Sequence, residues 1–179
     1  MSEAGLVDIT STWFRWHEGI IRPGSTVLDV GCGEGRHAIA AAQLGAKVVA
    51  VDSNAEKLRT ASEKAGACAV SVDWVHADLE RDALPPGEFD VVMVFYYLDR
   101  RRMREFLNAV KPGGMFLAET FRNGQRELDS GPKCEDYLLM DCELLDLVKP
   151  LEVILAREVV EEFNEHQKVI ASVLAERTK

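Results

Sequence analysis

The chain has 179 residues, of which 47% are hydrophobic, and a formal net charge of −9. This length and apolar content predict one globular domain with its own core and exclude a disordered chain. The acidic balance argues against a nucleic-acid partner, because binding a phosphate backbone favours a basic face. No apolar run is as long as a membrane span, and the N-terminal residues lack the basic and apolar regions of a signal peptide. Neither membrane insertion nor secretion is expected.

The four cysteines have no C-x-x-C spacing, so the sequence predicts neither a zinc site nor a redox motif. Cysteines without a disulfide framework are typical of a reducing compartment, which predicts a cytoplasmic protein. The only local basic excess, residues 100–104, is interpreted as a solvated helix face. A monomer or a homodimer is compatible with the sequence.

Helices and strands are predicted to alternate along most of the chain. Residues 7–21 have the spacing of an amphipathic helix that ends at Pro23-Gly24. Strands are predicted over 26–30, 47–51, within 68–76, 89–95 and 115–120, and helices over 35–44, 55–65 and about 100–110. A short helix over 143–148 and two strands, 151–161 and 168–176, complete the pattern.

This order predicts an α/β fold. A doubly wound, mostly parallel, seven-stranded Rossmann-like sheet would be closed by a C-terminal antiparallel hairpin. We interpret residues 1–179 as a single domain. Within it, residues 1–22 form an N-terminal helix that could cover the site as a lid or pack in the core, and residues 122–148 form an insertion beside the site.

A glycine-rich turn follows the first predicted strand, with Gly31, Gly33 and Gly35 at alternate positions. A strand, a glycine turn and a helix N-terminus together place backbone N–H groups at the carboxyl edge of a sheet, where ligands bind. A dinucleotide fingerprint has the spacing G-x-G-x-x-G, and here its third glycine position holds Arg36. The loop therefore suits a nucleoside without a pyrophosphate, although a simple helix-entry turn is the alternative.

Asp52 ends the second predicted strand about 20 residues after the first glycine, the spacing at which a carboxylate reaches the hydroxyls of a ribose. The alternative is that Asp52 only caps the following helix. The run from Val27 to Gly35, together with Asp52, resembles motif I and the acidic loop of class I S-adenosylmethionine-dependent methyltransferases. The resemblance covers roughly residues 12–178. It is closest to the small single-domain branch with tellurite-resistance and thiopurine-type enzymes.

The resemblance implies S-adenosylmethionine as cofactor and S-adenosylhomocysteine as product. It implies that Asp29 helps to hold the amino end of the methionine moiety, and that Asp78 and Leu79 lie where the family meets the adenine amino group. A carboxylate that caps loop amides and a turn aspartate are the respective alternatives. The remaining predicted cofactor contacts come from the loop and the neighbouring strand ends: Gly31, Cys32, Gly33, Gly35, Ser53 and Phe95.

The acceptor side is less specified by the sequence. Strand four ends in Phe95-Tyr96-Tyr97 and lacks the Asp/Asn-Pro-Pro-Tyr motif of enzymes that methylate amide or exocyclic amino nitrogens. Tyr97 or Tyr96 could border the methyl group, or be a buried aromatic. Glu119, at the end of strand five, is the candidate for a base or a substrate-orienting group, with a salt bridge as the alternative. Weaker acceptor-side candidates lie in or beside the insertion: Arg122, Lys133 and Tyr137.

These observations predict a methyltransferase that acts on a small-molecule acceptor, without a metal. A catalytically inactive cofactor-binding regulatory or scaffold protein is one alternative, and an RNA methyltransferase is a second, which the acidity disfavours. A nicotinamide-linked oxidoreductase is a third, and Arg36 at the third dinucleotide position counts against it.

Overall fold

Seven strands form one sheet in the order β3-β2-β1-β4-β5-β7-β6 in a computed structural model that describes residues 9–163 and 166–179. The strands are β1 Thr26–Val30, β2 Lys47–Asp52, β3 Asp73–His76, β4 Phe89–Phe95, β5 Val110–Phe121, β6 Glu152–Phe163 and β7 His166–Glu176. The α-helices are α1 Thr12–His17, α2 Arg36–Gln43, α3 Ala55–Ala67, α4 Met103–Asn108 and α5 Glu143–Leu147.

Strands β1 to β5 pair in parallel, and β7 pairs antiparallel with both β5 and β6. The predicted α/β class, the seven strands and the antiparallel closure are therefore confirmed. The chain moves outward from β1 to β3 and then returns to place β4 on the other side of β1. Because strand order reverses between β1 and β4, their carboxyl ends form the crevice in which open α/β sheets bind ligands.

Helices cover both faces of the sheet, which explains why its central strands are apolar throughout. Val27 on one face of β1 packs with α1 and α2, while Leu28 on the other face packs with α4 and α5, and both are fully buried. Burying an aliphatic side chain of this size stabilises the fold by about 1.5–3 kcal/mol. The central strands thus form a rigid support for the loops at their carboxyl ends.

Helix α1 packs against one face of the sheet. Ser11 caps the helix through its Oγ, which accepts from the backbone N–H of Phe14 at 3.1 Å. Trp13 and Phe14 are each 1% exposed, and the Trp13 indole N–H donates to the Val173 carbonyl at 3.2 Å. His37 Nε2 accepts from the Ser11 N–H at 3.1 Å, which ties this segment to α2. Trp13 therefore follows the core-packing alternative, whereas Trp16 is 63% exposed. The lid predicted for residues 1–22 stays a prediction, because residues 1–8 lie outside the described residues.

Several element boundaries differ from the prediction. Helix α1 ends at His17 instead of residue 21, and two further differences have a clear local cause. Helix α4 begins at Met103 instead of near residue 100, because the Asp99 side chain accepts from the backbone N–H groups of Arg101 and Arg102 and holds a turn there. Strand β5 begins at Val110 instead of Met115, since Val110 already pairs with Phe89 before the register shifts. Neither difference moves a strand end at the carboxyl edge.

Within the described residues, no helix is long and apolar enough to cross a membrane. The same part of the chain contains no group of three or more histidine, cysteine, aspartate or glutamate side chains arranged to hold a metal ion.

Candidate functional site

The glycine turn after β1 is held against β2. The backbone N–H groups of Gly31 and Cys32 both donate to the Val51 carbonyl, at 2.9 and 3.0 Å. Gly31 has φ +68°, and a Cβ added there would lie 2.7 Å from Cγ of Tyr97. Gly33 has φ +57°, and a Cβ there would meet no protein atom within 4 Å. Gly31 is therefore required by packing, whereas Gly33 borders open space that a ligand can use.

These two glycines give a matched pair of variants. Gly31→Ala should lower the free energy of unfolding by roughly 2–4 kcal/mol, because left-handed strain adds to a clash with Tyr97. Gly33→Ala should cost only about 1–2 kcal/mol, the cost of the backbone conformation alone. Its larger effect should be on S-adenosylhomocysteine affinity, since the new methyl group enters the ligand space. Urea unfolding and calorimetric titration measure the two effects. A Gly33→Ala protein that binds as tightly as the unmodified chain would contradict this assignment.

Asp52 connects β2 to the glycine turn. Its Oδ2 accepts from the Gly33 N–H at 2.8 Å, and its Oδ1 accepts from the Asn54 N–H at 2.9 Å. A carboxylate offers about four acceptor positions, so two remain for the hydroxyls of a ribose. The cap of α3 is Asn54, whose side chain accepts from the N–H groups of Glu56 and Lys57, each at 3.0 Å. Asp52 is therefore not needed as the helix cap.

A cleft of about 400 Å³ opens at the carboxyl ends of β1, β2, β3 and β4. Nine of the residues predicted from the sequence line it: Gly31, Gly33, Asp52, Ser53, Asp78, Leu79, Tyr96, Tyr97 and Tyr137. The other lining residues are Val51, Asn54, Lys57, Ala77 and Glu80. Sequence reasoning missed Asn54, Lys57 and Glu80. Their position could have indicated them, since each lies within five residues after Asp52 or Asp78, close to a strand end.

A compact loop follows β3 at the edge of the cleft. Asp78 Oδ1 accepts from the Glu80 N–H at 3.0 Å, while the Asp78 N–H donates to Asp82 at 2.8 Å. A His76 ring nitrogen lies 3.0 Å from the Ser53 carbonyl oxygen, which joins the loops after β2 and β3. Asp78 therefore has the local bonds of a turn aspartate and also borders the cleft, so both interpretations of this residue agree with its geometry.

Asp29 lies beneath the glycine turn instead of in the cleft lining. It is 1% exposed, and its Oδ2 has no hydrogen-bond partner among the described residues. Burial raises the pKa of this carboxyl to about 7, although the Ala38 N–H and the Arg36 charge both act to lower it. An unpartnered buried carboxylate oxygen is costly unless a ligand satisfies it. The resemblance implies that this carboxyl helps to hold the amino end of the methionine moiety, and that role stays a prediction.

Three further predictions about cofactor contacts need correction. Gly35 faces α3 and β3, where a Cβ would meet Trp74 at 2.5 Å, so it is a packing glycine. Phe95 is 5% exposed and stacks on His37 with ring centroids 4.0 Å apart, away from the cleft. The Cys32 side chain also does not line the cleft. Burial and the neighbouring Asp29 carboxylate raise the pKa of the Cys32 thiol, so proximity to a helix N-terminus does not lower it.

The prediction that Glu119 contacts the substrate is also wrong. Its side chain is fully buried, and Tyr96 lies between it and the cleft: the Tyr96 hydroxyl donates to Glu119 Oε1 at 2.8 Å. Arg157 forms an ion pair with the other carboxylate oxygen at 3.1 Å. Glu119 therefore cannot receive a proton from a substrate directly, and the salt-bridge alternative is the correct one.

Within the insertion, only Tyr137 of the three weaker candidates reaches the cleft, where its side chain is 60% exposed. Arg122 pairs with Asp141 at 2.6 Å and with Glu158 at 2.9 Å. Lys133 donates to backbone carbonyls, including that of Leu128, and so closes its own loop. These two cations therefore stabilise the insertion. We do not assign them to the acceptor.

The chain was compared with known proteins. A family model described as a methyltransferase domain matches residues 27–114. The chain is 33% identical over 131 residues to the ribosomal protein L11 methyltransferase of Symbiobacterium thermophilum, a match that covers 73% of this chain and 43% of that protein. It is 32% identical over 142 residues to the ubiquinone biosynthesis O-methyltransferase of Escherichia coli, covering 73% and 59%. The chain thus spans about half the length of these curated relatives.

Among solved structures, TehB from Haemophilus influenzae superposes with a TM-score of 0.78 at 20% identity, over 95% of this chain and 63% of that one. At this identity the likeness shows the fold alone. The chain belongs to the class I S-adenosylmethionine-dependent methyltransferase superfamily, whose cofactor is S-adenosylmethionine. The residues present fit that cofactor, because Gly33 borders open space in the cleft and the unpartnered oxygen of Asp29 lies beneath the same glycine turn.

Proposed function

We propose that this protein is an S-adenosylmethionine-dependent methyltransferase whose acceptor is a small molecule. The observation that carries the proposal is the single cleft that joins Gly33, Asp52 and Asp78 to Tyr96 and Tyr97. One part of this cleft has the donors and acceptors for a nucleoside, and the other has aromatic side chains at the end of β4. A cofactor and a second molecule can therefore meet in one place.

The proposed roles follow from the contacts. Asp52 would accept from the ribose hydroxyls, Asp78 and Leu79 would border the adenine, and Asp29 would stabilise the amino end of the methionine moiety. The sulfonium of S-adenosylmethionine supplies a methyl group that is already activated. The protein then has to align the acceptor atom and exclude water, which contributes most of the rate. A base is required only if the acceptor holds its proton at neutral pH.

The size of the cleft supports a small acceptor. A volume of about 400 Å³ lies at the lower end of the range for ligand pockets, roughly 300–1,000 Å³, and a nucleoside cofactor would fill much of it. Tyr137 of the insertion borders the same space and further limits what can enter. The net charge of −9 also disfavours RNA. The proposal includes a cytoplasmic location and a monomer or homodimer as the working form.

Two measurements test the proposal. Calorimetric titration with S-adenosylmethionine, S-adenosylhomocysteine and NAD should show binding of the first two only. A screen with a labelled methyl donor should then find transfer to a small thiol, hydroxyl, amine or metalloid compound. Binding without any transfer would favour the regulatory or scaffold alternative. Transfer to RNA, or to a protein such as ribosomal protein L11, would contradict the small-molecule acceptor.

A further inference from the structure

The buried carboxylate of Glu119 cannot contact a substrate, and its hydrogen-bond partners indicate a different role. Its Oε1 accepts from the Tyr96 hydroxyl at 2.8 Å, and its Oε2 accepts from the Ser172 hydroxyl at 2.7 Å and from Arg157 at 3.1 Å. Removing a carboxylate from water costs several kcal/mol, which the hydrogen bonds only offset. Apolar residues in such places are often equally stable. Stability alone therefore does not explain this residue.

Three strands place the partners of Glu119 in a row. Glu119 on β5 pairs with Ser172 on β7, and Ser172 pairs with Arg157 on β6, so their side chains share one face of the sheet. The Arg157 guanidinium lies over the rings of Trp13 and Trp16 in α1, at 5.0 and 4.7 Å. Ser172 and Arg157 therefore hold one oxygen of the Glu119 carboxylate, Oε2. The other oxygen, Oε1, faces Tyr96.

Tyr96 has a backbone conformation that a non-glycine residue adopts only at a cost. Its φ is +56°, which costs about 1–3 kcal/mol, and its N–H donates to the Glu119 carbonyl at 2.7 Å. In a regular strand Tyr96 would face away from Phe95. The left-handed turn instead leaves both rings in the layer formed by α1 and α2, while Tyr97 packs on the opposite side. The strain therefore directs the Tyr96 ring toward Glu119.

The Tyr96 ring is held at several points. Arg36 and Lys168 lie over it, 5.1 and 5.0 Å from the ring centroid. Burial and the Glu119 carboxylate raise the pKa of the Tyr96 hydroxyl, so the hydroxyl stays protonated and donates. Donation to a carboxylate makes the ring more electron-rich, which strengthens its attraction for cations. Tyr96 is one of the residues that line the cleft, and its hydroxyl is held by one buried carboxylate.

We infer that Glu119 is a positioning residue that acts through Tyr96, holding the ring as a fixed wall of the cleft where the acceptor is aligned. The inference rests on the proposed function, because it assigns the Tyr96 side of the cleft to the acceptor. It predicts that Glu119 affects alignment of the acceptor and has little effect on cofactor affinity.

The chain has three tyrosines, which permits a direct test. Incorporation of 3-fluorotyrosine should give three ¹⁹F resonances, assigned by Tyr96→Phe, Tyr97→Phe and Tyr137→Phe. Glu119→Gln keeps the side-chain size but removes the charge, and it should shift or broaden the Tyr96 resonance alone. Ser172→Ala is the matched control, because it removes a partner of Glu119 and leaves the Tyr96 contact intact. An unmoved Tyr96 resonance, equal changes in all three, or the same change in the control would overturn the inference.

Binding and kinetics give the second readout. Glu119→Gln and Tyr96→Phe should each bind S-adenosylhomocysteine within about twofold of the unmodified protein. With the first acceptor from the labelled-methyl screen, each should lower kcat/KM by roughly tenfold, and the double variant should be no worse than either single one. Additive losses would overturn the inference. If Glu119→Gln does not fold, Tyr96→Phe removes the same hydrogen bond and decides the question. Failure of the unmodified protein to bind the nucleoside would instead contradict the proposed function.

Discussion

Replacing Asp52 with alanine should weaken S-adenosylhomocysteine binding by roughly 1.5–3 kcal/mol, which corresponds to about a 10- to 150-fold higher Kd. The carboxylate is proposed to accept from the ribose hydroxyls, and it also holds the Gly33 N–H at 2.8 Å. The variant therefore loses a charged ligand contact and the bond that shapes the turn around the ligand. Isothermal titration calorimetry at low and moderate salt measures the change.

Asp73 offers a matched control for this substitution. It begins β3, at the opposite end of the strand from the cleft, and its side chain is exposed. Asp73→Ala should leave the Kd within about twofold, since surface substitutions away from special features change little. A Kd for Asp52→Ala that equals that of the control would show that Asp52 is not the ribose ligand. Thermal unfolding of the ligand-free variants separates loss of the contact from loss of the fold.

Replacing Asp29 with asparagine should stabilise the ligand-free protein at pH 8 and weaken cofactor binding at the same pH. Burial raises the pKa of this carboxyl from 3.8 to about 7, so the folded protein binds the proton more tightly than the unfolded chain does. Stability therefore falls as the pH rises through this interval, and the full cost is present above about pH 7. That cost is about 4 kcal/mol, at 1.36 kcal/mol per pKa unit for a rise of about three units.

Asparagine keeps an acceptor for the Ala38 N–H but carries no charge. Urea unfolding should show the variant more stable than the unmodified protein at pH 8, with the difference shrinking toward pH 4. Asp90→Asn is the control with the opposite sign, since the Thr26 N–H and Lys111 lower the pKa of Asp90 and the charged form stabilises the fold. The Kd for S-adenosylmethionine should rise about tenfold in Asp29→Asn. A variant that is less stable at pH 8, or that binds equally well, would contradict the proposed role.

The expected gain in stability and loss of affinity in Asp29→Asn would have the same cause. A buried carboxylate without a protein partner destabilises the ligand-free fold, and a ligand ammonium can recover that free energy on binding. The glycine turn follows the same principle, because Gly33 leaves space that no side chain fills. Features that are unfavourable in the free protein thus mark the place where the cofactor is proposed to bind.

The sequence by itself determined the fold class and placed at one sheet edge the residues that are proposed to bind the nucleoside. Apolar runs of strand length, helix caps such as Asn54 and glycine turns are local signals. The succession of strands and helices along the chain and the positions of Asp52, Asp78 and the Gly31–Gly33 turn therefore follow from neighbours within a few residues. Their approach to one another follows from parallel pairing, which brings all the strand ends to one edge. The errors at α4 and β5 concern boundaries, where a single turn or a register shift decides.

Only the tertiary structure decided the acceptor side. Whether Glu119 faces a substrate or a salt bridge depends on Ser172 and Arg157, which are 53 and 38 residues away in the chain. Whether Tyr96 or Tyr97 turns toward α1 depends on one left-handed backbone angle that no local pattern specifies for a tyrosine. Side-chain direction at a strand end is set by contacts across strands and layers. For this reason the residues proposed to hold the cofactor could be predicted in part, while those proposed to align the acceptor could not.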